Sequence, residues 1–264
     1  MPDALTPRPF IDPHVHADSR SCEDFERLAA AGCAGLVLVA GPGAGYRSPD
    51  SVLDHFRRLD TLDRGRVERA GLRAWVALGP HPAGLPERDL DGLLADLAEA
   101  LRACHADAVG EVGLSRGSPE EERALARAFE VAGELGLPCV VHTAVQDKRR
   151  SLERILALLE RAPLEPGRVL LDHLDASCLP LAFGSGCWLG LSVHPAKLSP
   201  AEAAALVVQH GPRRFVLDSD LGAQPSNLFA LPAAMAALEE AGADDATIRA
   251  VVHDHALSFL GGTP

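Results

Sequence analysis

Aromatic residues are scarce in this chain, at 4% of 264 positions with two tryptophans and one tyrosine. An interior of any size must therefore be aliphatic, and an apolar content of 47% is ample for one. No apolar run approaches the roughly 18 to 20 residues that span a bilayer. The opening Met1–Phe10 also lacks the apolar stretch of a secretory leader. The expectation is a soluble, cytoplasmic protein with no membrane partner. Six cysteines stand at 22, 33, 104, 139, 178 and 187, with no Cys-x-x-Cys pair among them. They read as reduced, small core residues rather than as a disulfide framework or a zinc knuckle. An excess of positive charge is missing as well: 25 Lys and Arg face 37 Asp and Glu, a net charge of −12. A broad surface for extended nucleic acid is thereby disfavoured, while a local basic pocket remains compatible.

What is present is a repeating alternation. Short apolar runs occur at Pro9–Asp12, Gly35–Ala40, Leu72–Leu78, Ala108–Val112, Pro138–Val141, Arg168–Asp172, Trp188–Ser192 and Phe215–Asp218. Amphipathic stretches separate them, among them Glu23–Ala31, Ser118–Gly136, Leu152–Leu159 and Pro200–Gln209. Two of these open on Ser-Pro followed by acids, a helix start with a cap, a first-turn proline and charges that suit the dipole. Gly32, Gly71, Gly136 and Gly211 stand where helices should end. Strands alternating with helices imply a parallel sheet with right-handed crossovers. Eight unbroken repeats predict a single (β/α)₈ TIM barrel over residues 1–264. Asn227–Gly242 and Asp244–Leu260 then supply the last helix and one extra C-terminal helix.

Polar residues gather at the ends of the apolar runs, not at their starts. The ends read Asp12-Pro-His14-Val-His16, Gly-Pro-His81-Pro, Gly-Glu111-Val-Gly-Leu-Ser115 and Val-Val-His142-Thr. They continue as Leu-Asp172-His173, Ser192-Val-His194-Pro-Ala-Lys197 and Leu-Asp218-Ser-Asp220. In a barrel the carboxyl ends of all strands meet on one face, where active sites are built. His14 and His16 are two apart, so in a strand both rings point the same way. So many imidazoles and carboxylates converging on one bowl call for a shared cation. Mixed nitrogen and oxygen donors suit zinc first, with manganese, magnesium, iron or nickel as alternatives, and suit calcium poorly. His14, His16, Glu111, His142, His173 and Asp220 are more ligands than one zinc takes. Two divalent ions about 3.5 to 4 Å apart account for the surplus. The chemistry expected of such a centre is attack by activated water, with Asp220 holding that water and relaying its proton.

The ordered set resembles the TatD-related metal-dependent hydrolases of the amidohydrolase-like barrel superfamily. It runs from Phe10-Ile-Asp-Pro-His-Val-His16 through Gly79-Pro-His-Pro82, Gly110-Glu-Val-Gly-Leu114, Pro138-Cys-Val-Val-His142 and Asp172-His173 to Asp218-Ser-Asp220. The resemblance implies that His14, His16 and Asp220 hold the first metal, that Glu111 bridges, and that His142 and His173 complete the second. It further implies that His81 sits at the mouth as a substrate or leaving-group contact. DNA-hydrolysing members carry Asp where Ser115 stands, and Glu-Thr-Asp followed by proline where Asp218-Ser-Asp220-Leu-Gly stands. These departures place the chain on a side branch whose substrate need not be DNA.

Asp218, two residues before Asp220, is expected to orient a histidine or pair inside the barrel, with a ligand role left open. Asp12 and Asp172 precede ligand histidines and are expected to support them from behind. His55, His105, His210, His253 and His255 fall in helical stretches and carry no expected function. His194 is balanced between pocket and structure. The basic residues Lys148, Arg149, Arg150, Lys197 and Arg116 follow strand ends, and positive charge at a helix start invites an anion. Together with His81 and His194, Lys148, Arg149 and Lys197 are the expected substrate contacts. The first functional expectation is a phosphodiesterase or nuclease-like phosphoesterase acting on a small anionic substrate. An amidase or lactonase-type hydrolase is the second, and a non-catalytic metal- or metabolite-binding barrel in a pathway assembly the third; fold alone does not choose. The oligomeric state is left open.

Overall fold

The computed structural model describes residues 8–43, 45–144 and 146–263. Eight parallel strands follow one another in the order of the chain: β1 (Phe10–Val15), β2 (Cys33–Val39), β3 (Arg73–Leu78), β4 (Ala108–Gly113), β5 (Cys139–His142), β6 (Val169–Asp172), β7 (Trp188–Ser192) and β8 (Phe215–Asp218). A parallel bridge between Val15 and Leu221, with the His16 amide donating to the Leu221 carbonyl at 2.8 Å, closes β8 onto β1. The result is a (β/α)₈ barrel. The helices outside it are α1 (Cys22–Ala30), α2 (Pro49–Arg58), α3 (Arg64–Arg69), α4 (Leu90–Ala103), α5 (Pro119–Leu135), α6 (Lys148–Leu159), α7 (Leu179–Ala182), α8 (Pro200–His210) and α9 (Ala230–Glu240).

Alternation along each strand sorts the side chains into two layers. Leu36 and Leu38 of β2, Cys139 and Val141 of β5, and Phe215 and Leu217 of β8 pack in the large layer beneath the helices. Val37 and Val39, Val140, Leu170 and Val216 belong to a second cluster on the barrel axis. Continuing that inward parity, the last residues of β5, β6, β7 and β8 are His142, Asp172, Ser192 and Asp218. Period two, acting on the ends of apolar strands, delivers the polar groups to the top of the axis.

The axial cluster also includes Ala256 and Phe259. They come from α11 (His255–Phe259), which follows α10 (Asp245–Arg249) through a π-turn at Ala250–Asp254. The extra C-terminal helix read from sequence is thus one continuous helical run, widened midway by a π segment. Its apolar face plugs the bottom of a barrel too poor in aromatic residues to fill itself.

Some expected boundaries shift. β1 continues past Asp12 to Val15, with its register to β2 irregular between Asp12 and Val15. Pro13 lies in that interval and has no N–H for the ladder. α6 starts at Lys148 rather than Leu152, from a left-handed Asp147 that makes no side-chain cap. His105 is not helical: it lies just past α4 with φ of 45°. All six cysteines are free, five of them buried. Among the described residues no helix is long and apolar enough to cross a membrane.

Candidate metal centre

The strand ends enclose a cavity of about 460 Å³ whose lining includes His16, His81, Glu111, His142, His173, His194, Lys197 and Asp220. Glu111 stands at its floor, 1% exposed, at the centre of the histidines. Its Oε2 lies 3.2 Å from His14 Nε2, 3.8 Å from His16 Nε2 and 3.3 Å from His81 Nε2. Its Oε1 lies 2.7 Å from His142 Nδ1 and 3.0 Å from His173 Nε2. Asp220 Oδ1 completes the first group at 3.5 Å from His14 Nε2 and 3.4 Å from His16 Nε2. The two oxygens of one carboxylate therefore face two separate nests of donors.

Local backbone makes this reach possible. Gly113, two residues beyond Glu111, has φ of 149°, and a Cβ there would sit 2.2 Å from the carbonyl oxygen of His142. Only glycine lets β4 run this close to β5 and bring Glu111 beside His142. On β8 the Asp12 carboxylate accepts the Ser219 amide at 3.1 Å and the Ser219 hydroxyl at 2.5 Å. That anchors the end of β8 just before Asp220, whose φ is 44°.

The imidazoles fall into two classes according to what their other ring nitrogen does. His14 Nδ1 lies 2.5 Å from Asp172 Oδ2, and His16 Nδ1 lies 3.3 Å from the Val39 carbonyl. His173 Nδ1 lies 2.6 Å from Ser192 Oγ, whose own proton goes to Asp172 or Asp218, each 3.2 Å away. In all three rings Nδ1 has an acceptor within reach, so Nε2 is the nitrogen turned toward the centre. His81 and His194 are the reverse. The Ala83 amide donates to His81 Nδ1 at 3.0 Å, and the Ala196 amide donates to His194 Nδ1 at 3.1 Å. Both neutral rings then carry their proton on Nε2. Both belong to a His-Pro-Ala triplet, at 81–83 and 194–196, that makes the same two-residue hook.

Charge follows from this packing. Burial alone would raise Glu111, but His14, His142 and His81 outweigh it and hold the carboxyl well below the usual range. Asp220 is likewise held strongly down, against burial, by His16, His14, His173 and Lys197. Burial lowers His173 to about 4, with Lys197 adding to the effect, so this ring stays neutral. Burial also lowers His81. For His14 burial acts downward, yet Glu111 and Asp172 prevail and raise it well above its ordinary value. Burial and the neighbouring Asp172 charge raise Asp218, while His173 and His14 hold Asp172 down against burial. Of the two carboxyls behind the centre, Asp218 therefore holds a proton the more readily.

The donor set fits a metal. His14 Nε2 is fully buried and has no hydrogen-bond partner among the described residues, an arrangement a core rarely tolerates. Ligands about 2.0 to 2.1 Å from a tetrahedral ion lie about 3.3 Å apart. The separations around His14, His16, Glu111 and Asp220 are of that order. His14, His16 and Glu111 form one group of potential ligands, and His81, Glu111 and His142 another. The hydrogen bond to His81 Nδ1 makes its Nε2 a donor, which argues against His81 as a ligand.

The six expected ligands are therefore brought together. Asp172 supports both neighbours, His14 at its ring and His173 at its backbone amide and through Ser192, while Asp12 accepts the amides of His14 and Ser219 and so ties β1 to the end of β8. Lys197 reaches the centre: its ammonium pairs with Asp220 and lies 2.8 and 3.1 Å from the ring nitrogens of His173. Lys148 and Arg149 do not line the cavity. Lys148 is turned under the loop after β6, donating to the His173 carbonyl at 2.6 Å and pairing with Asp175 at 2.9 Å. Arg149 points outward and pairs with Glu153 one turn along α6 at 3.3 Å. None of His55, His105, His210, His253 and His255 lines the cavity. Ser192 and Ser219 are the supporting groups that sequence reasoning left without a role; the signal was a hydroxyl at the end of an otherwise apolar strand.

The chain matches the family model described as TatD related DNase over residues 11–241. It is 31% identical over 250 residues to an uncharacterized metal-dependent hydrolase of Methanocaldococcus jannaschii, covering 95% of this chain and 99% of that relative. The crystal structure of the TatD-like protein from Archaeoglobus fulgidus superposes with a TM-score of 0.81 at 26% identity, covering 96% of this chain and 100% of that one. The phosphotriesterase homology protein from Escherichia coli, complexed with phosphate in its active site, shares the fold. Its TM-score is 0.73 at 18% identity, with 97% and 99% of the two chains covered. With a family match across most of its length and the metal-binding constellation at its strand ends, this chain belongs to the TatD family of metal-dependent hydrolases.

Proposed function

We propose that this protein is a phosphoesterase that works with two divalent cations, zinc by preference, on a small anionic ester. The observation that carries the reading is Glu111, whose Oε2 faces His14 and His16 while Oε1 faces His142 and His173. One ion would be held by His14, His16, Glu111 and Asp220, the other by Glu111, His142 and His173. Nitrogen-rich sets of this kind suit zinc. Such a pair of cations supplies water of lowered pKa and positive charge opposite a phosphoryl oxygen.

The protein's own groups do the rest. Asp220 is 16% exposed at its side chain and lines the cavity beside His14 and His16. It accepts the hydrogen bond of the attacking water and takes its proton. His81, His194 and Lys197 surround the same space as donors only: two imidazole Nε2–H groups and one ammonium. Three donors converging beside the centre suit the bare oxygens of a phosphate. His81 Nε2 is fixed by its backbone hook, so it meets developing charge without reorganisation.

The test is turnover by chelator-stripped protein reloaded with Zn²⁺ or Mn²⁺. Substrates are a phosphodiester, a phosphomonoester, a lactone and an amide. Metal-dependent cleavage of a phosphoester is expected. Cleavage of the lactone or amide alone would overturn the reading in favour of a carbon–oxygen or carbon–nitrogen hydrolase. Silence on all four with metal bound would point to a binding barrel.

A further inference from the structure

A second cavity of about 610 Å³ opens beside the metal centre, on the same face of the barrel. Its walls are the loop after β4 and the start of α6, and they carry Ser115, Arg116, Asp147, Arg150 and Arg154. Ala144 also lines it, two residues beyond His142. His142 lines the metal cavity and Ala144 this one, so at most about 7 Å of chain separates a wall of each.

The walls are prebuilt. The Glu121 carboxylate, 4% exposed, accepts the amides of Ser115 at 2.8 Å, Arg116 at 3.0 Å and Gly117 at 2.8 Å. Arg154 ties α6 to the same loop, donating to the Gly117 carbonyl at 2.9 Å and to Glu122 at 2.7 Å. Gly117 has φ of 70°, and a Cβ there would strike Arg154. A fixed loop and a fixed helix thus hold Arg116 and Arg150 across the cavity. Neither makes an ion pair among the described residues, whereas Arg154 is matched by Glu122. Against three guanidinium groups the lining offers one carboxylate, Asp147. Asp147 caps none of the first-turn amides of α6, so that helix start adds its own positive end.

We propose that this cavity is a second phosphate subsite, which takes a phosphate group of the substrate adjacent to the scissile ester. This inference rests on the phosphoesterase reading of the metal centre. Paired guanidinium forks and a helix start are the chemistry that recognises phosphate oxygens. The preferred substrate class is therefore an ester that carries two phosphates, such as a short oligonucleotide with a terminal phosphate.

Two measurements test it. First, inorganic phosphate is titrated calorimetrically into chelator-stripped full-length protein and into Arg116→Gln/Arg150→Gln. Both side chains are exposed, so the variant should keep its fold. The parent is expected to bind one phosphate per chain, and the variant at least tenfold more weakly. Absence of binding, or equal binding to both, overturns the subsite. Second, the metal-loaded proteins are compared on a dithymidine phosphodiester with and without a 5′-terminal phosphate. The terminal phosphate is expected to raise kcat/KM about tenfold or more in the parent and little in the variant. Phosphate binding without that difference would make the cavity a site for free phosphate and overturn its assignment to substrate. Failure of the metal-centre reading would show separately, as no turnover of either dinucleotide, with the titration result unaffected.

Discussion

At the scale of single residues, the centre depends on which nitrogen of each ring is free. The Asp172 carboxylate fixes the His14 tautomer from a distance of 2.5 Å, and no other described group faces His14 Nδ1 so closely. Asp172→Asn should weaken metal affinity about 10- to 100-fold while the protein stays folded. Competition with a chromophoric chelator, beside a circular dichroism spectrum, measures both; unchanged affinity would contradict the role. His81 makes the opposite prediction. As a donor rather than a ligand, its replacement by alanine should lower kcat/KM on a phosphoester about 10²- to 10³-fold and leave the metal content intact. His14 also sets a pH dependence. Its proton affinity is raised by Glu111 and Asp172 over the opposing effect of burial, so at neutral pH a metal must displace a proton there. Metal affinity should therefore rise with pH, up to about tenfold per unit, until the raised pKa is passed. Calorimetry in two buffers of different ionisation enthalpy should find about one proton released per chain. No proton release would show that His14 is neutral.

Much of this residue scale was legible in the sequence, and the remainder divides along a physical line. His14, His16, Glu111, His142, His173 and Asp220 could be placed because a side chain at the end of an apolar strand has little choice of direction. The tautomers could not, since they depend on the Val39 carbonyl, on Ser192 and on Asp172, which reach these rings from other strands. Lys148 and Arg149 failed as pocket residues for a related reason. Position at a helix start fixes their Cα atoms, but Asp175 and Glu153 decide where those long side chains go.

At the scale of elements, the approach of β4 to β5 places the Glu111 carboxylate between two groups of histidines. Gly113→Ala puts a methyl group 2.2 Å from the His142 carbonyl, in a backbone region unfavourable to alanine. It should cost about 1 to 3 kcal/mol or more in stability and reduce retention of the second ion. Denaturant unfolding and metal analysis of the same variant would check both. Eight strands were readable as apolar runs because parallel barrel strands are buried on both faces. Pro49–Arg58 is hard to read because its buried Val52 and Phe56 stand among charges, whereas Leu90–Ala103 carries a plain apolar stripe at Leu93, Leu94, Leu97 and Leu101. The start of α6 was placed late because its first turn is basic and its cap is a left-handed aspartate, neither of which signals a beginning.

At the scale of the whole molecule, the barrel is an aliphatic tube closed below by its own C-terminal segment and open above at the metal centre. Phe259, 4% exposed, fills the lower end together with Trp75 and Ile11. Phe259→Ala should cost about 3 to 5 kcal/mol by leaving a cavity there, with little effect on metal content, since the centre lies at the other end of the axis. The upper end should behave in the opposite way. The proposed ligands stand on or just past β1, β4, β5, β6 and β8, so a bound metal would tie distant parts of the chain together and raise the Tm.

In the proposed centre one carboxylate, that of Glu111, joins two metal nests. Metal analysis of zinc-reconstituted protein and of Glu111→Gln, by mass spectrometry after gel filtration, tests it most directly. Two zinc ions per chain in the parent are predicted, with at least one ion and most of the phosphoester turnover lost in the variant. A single ion in the parent, or two retained by Glu111→Gln, would contradict it.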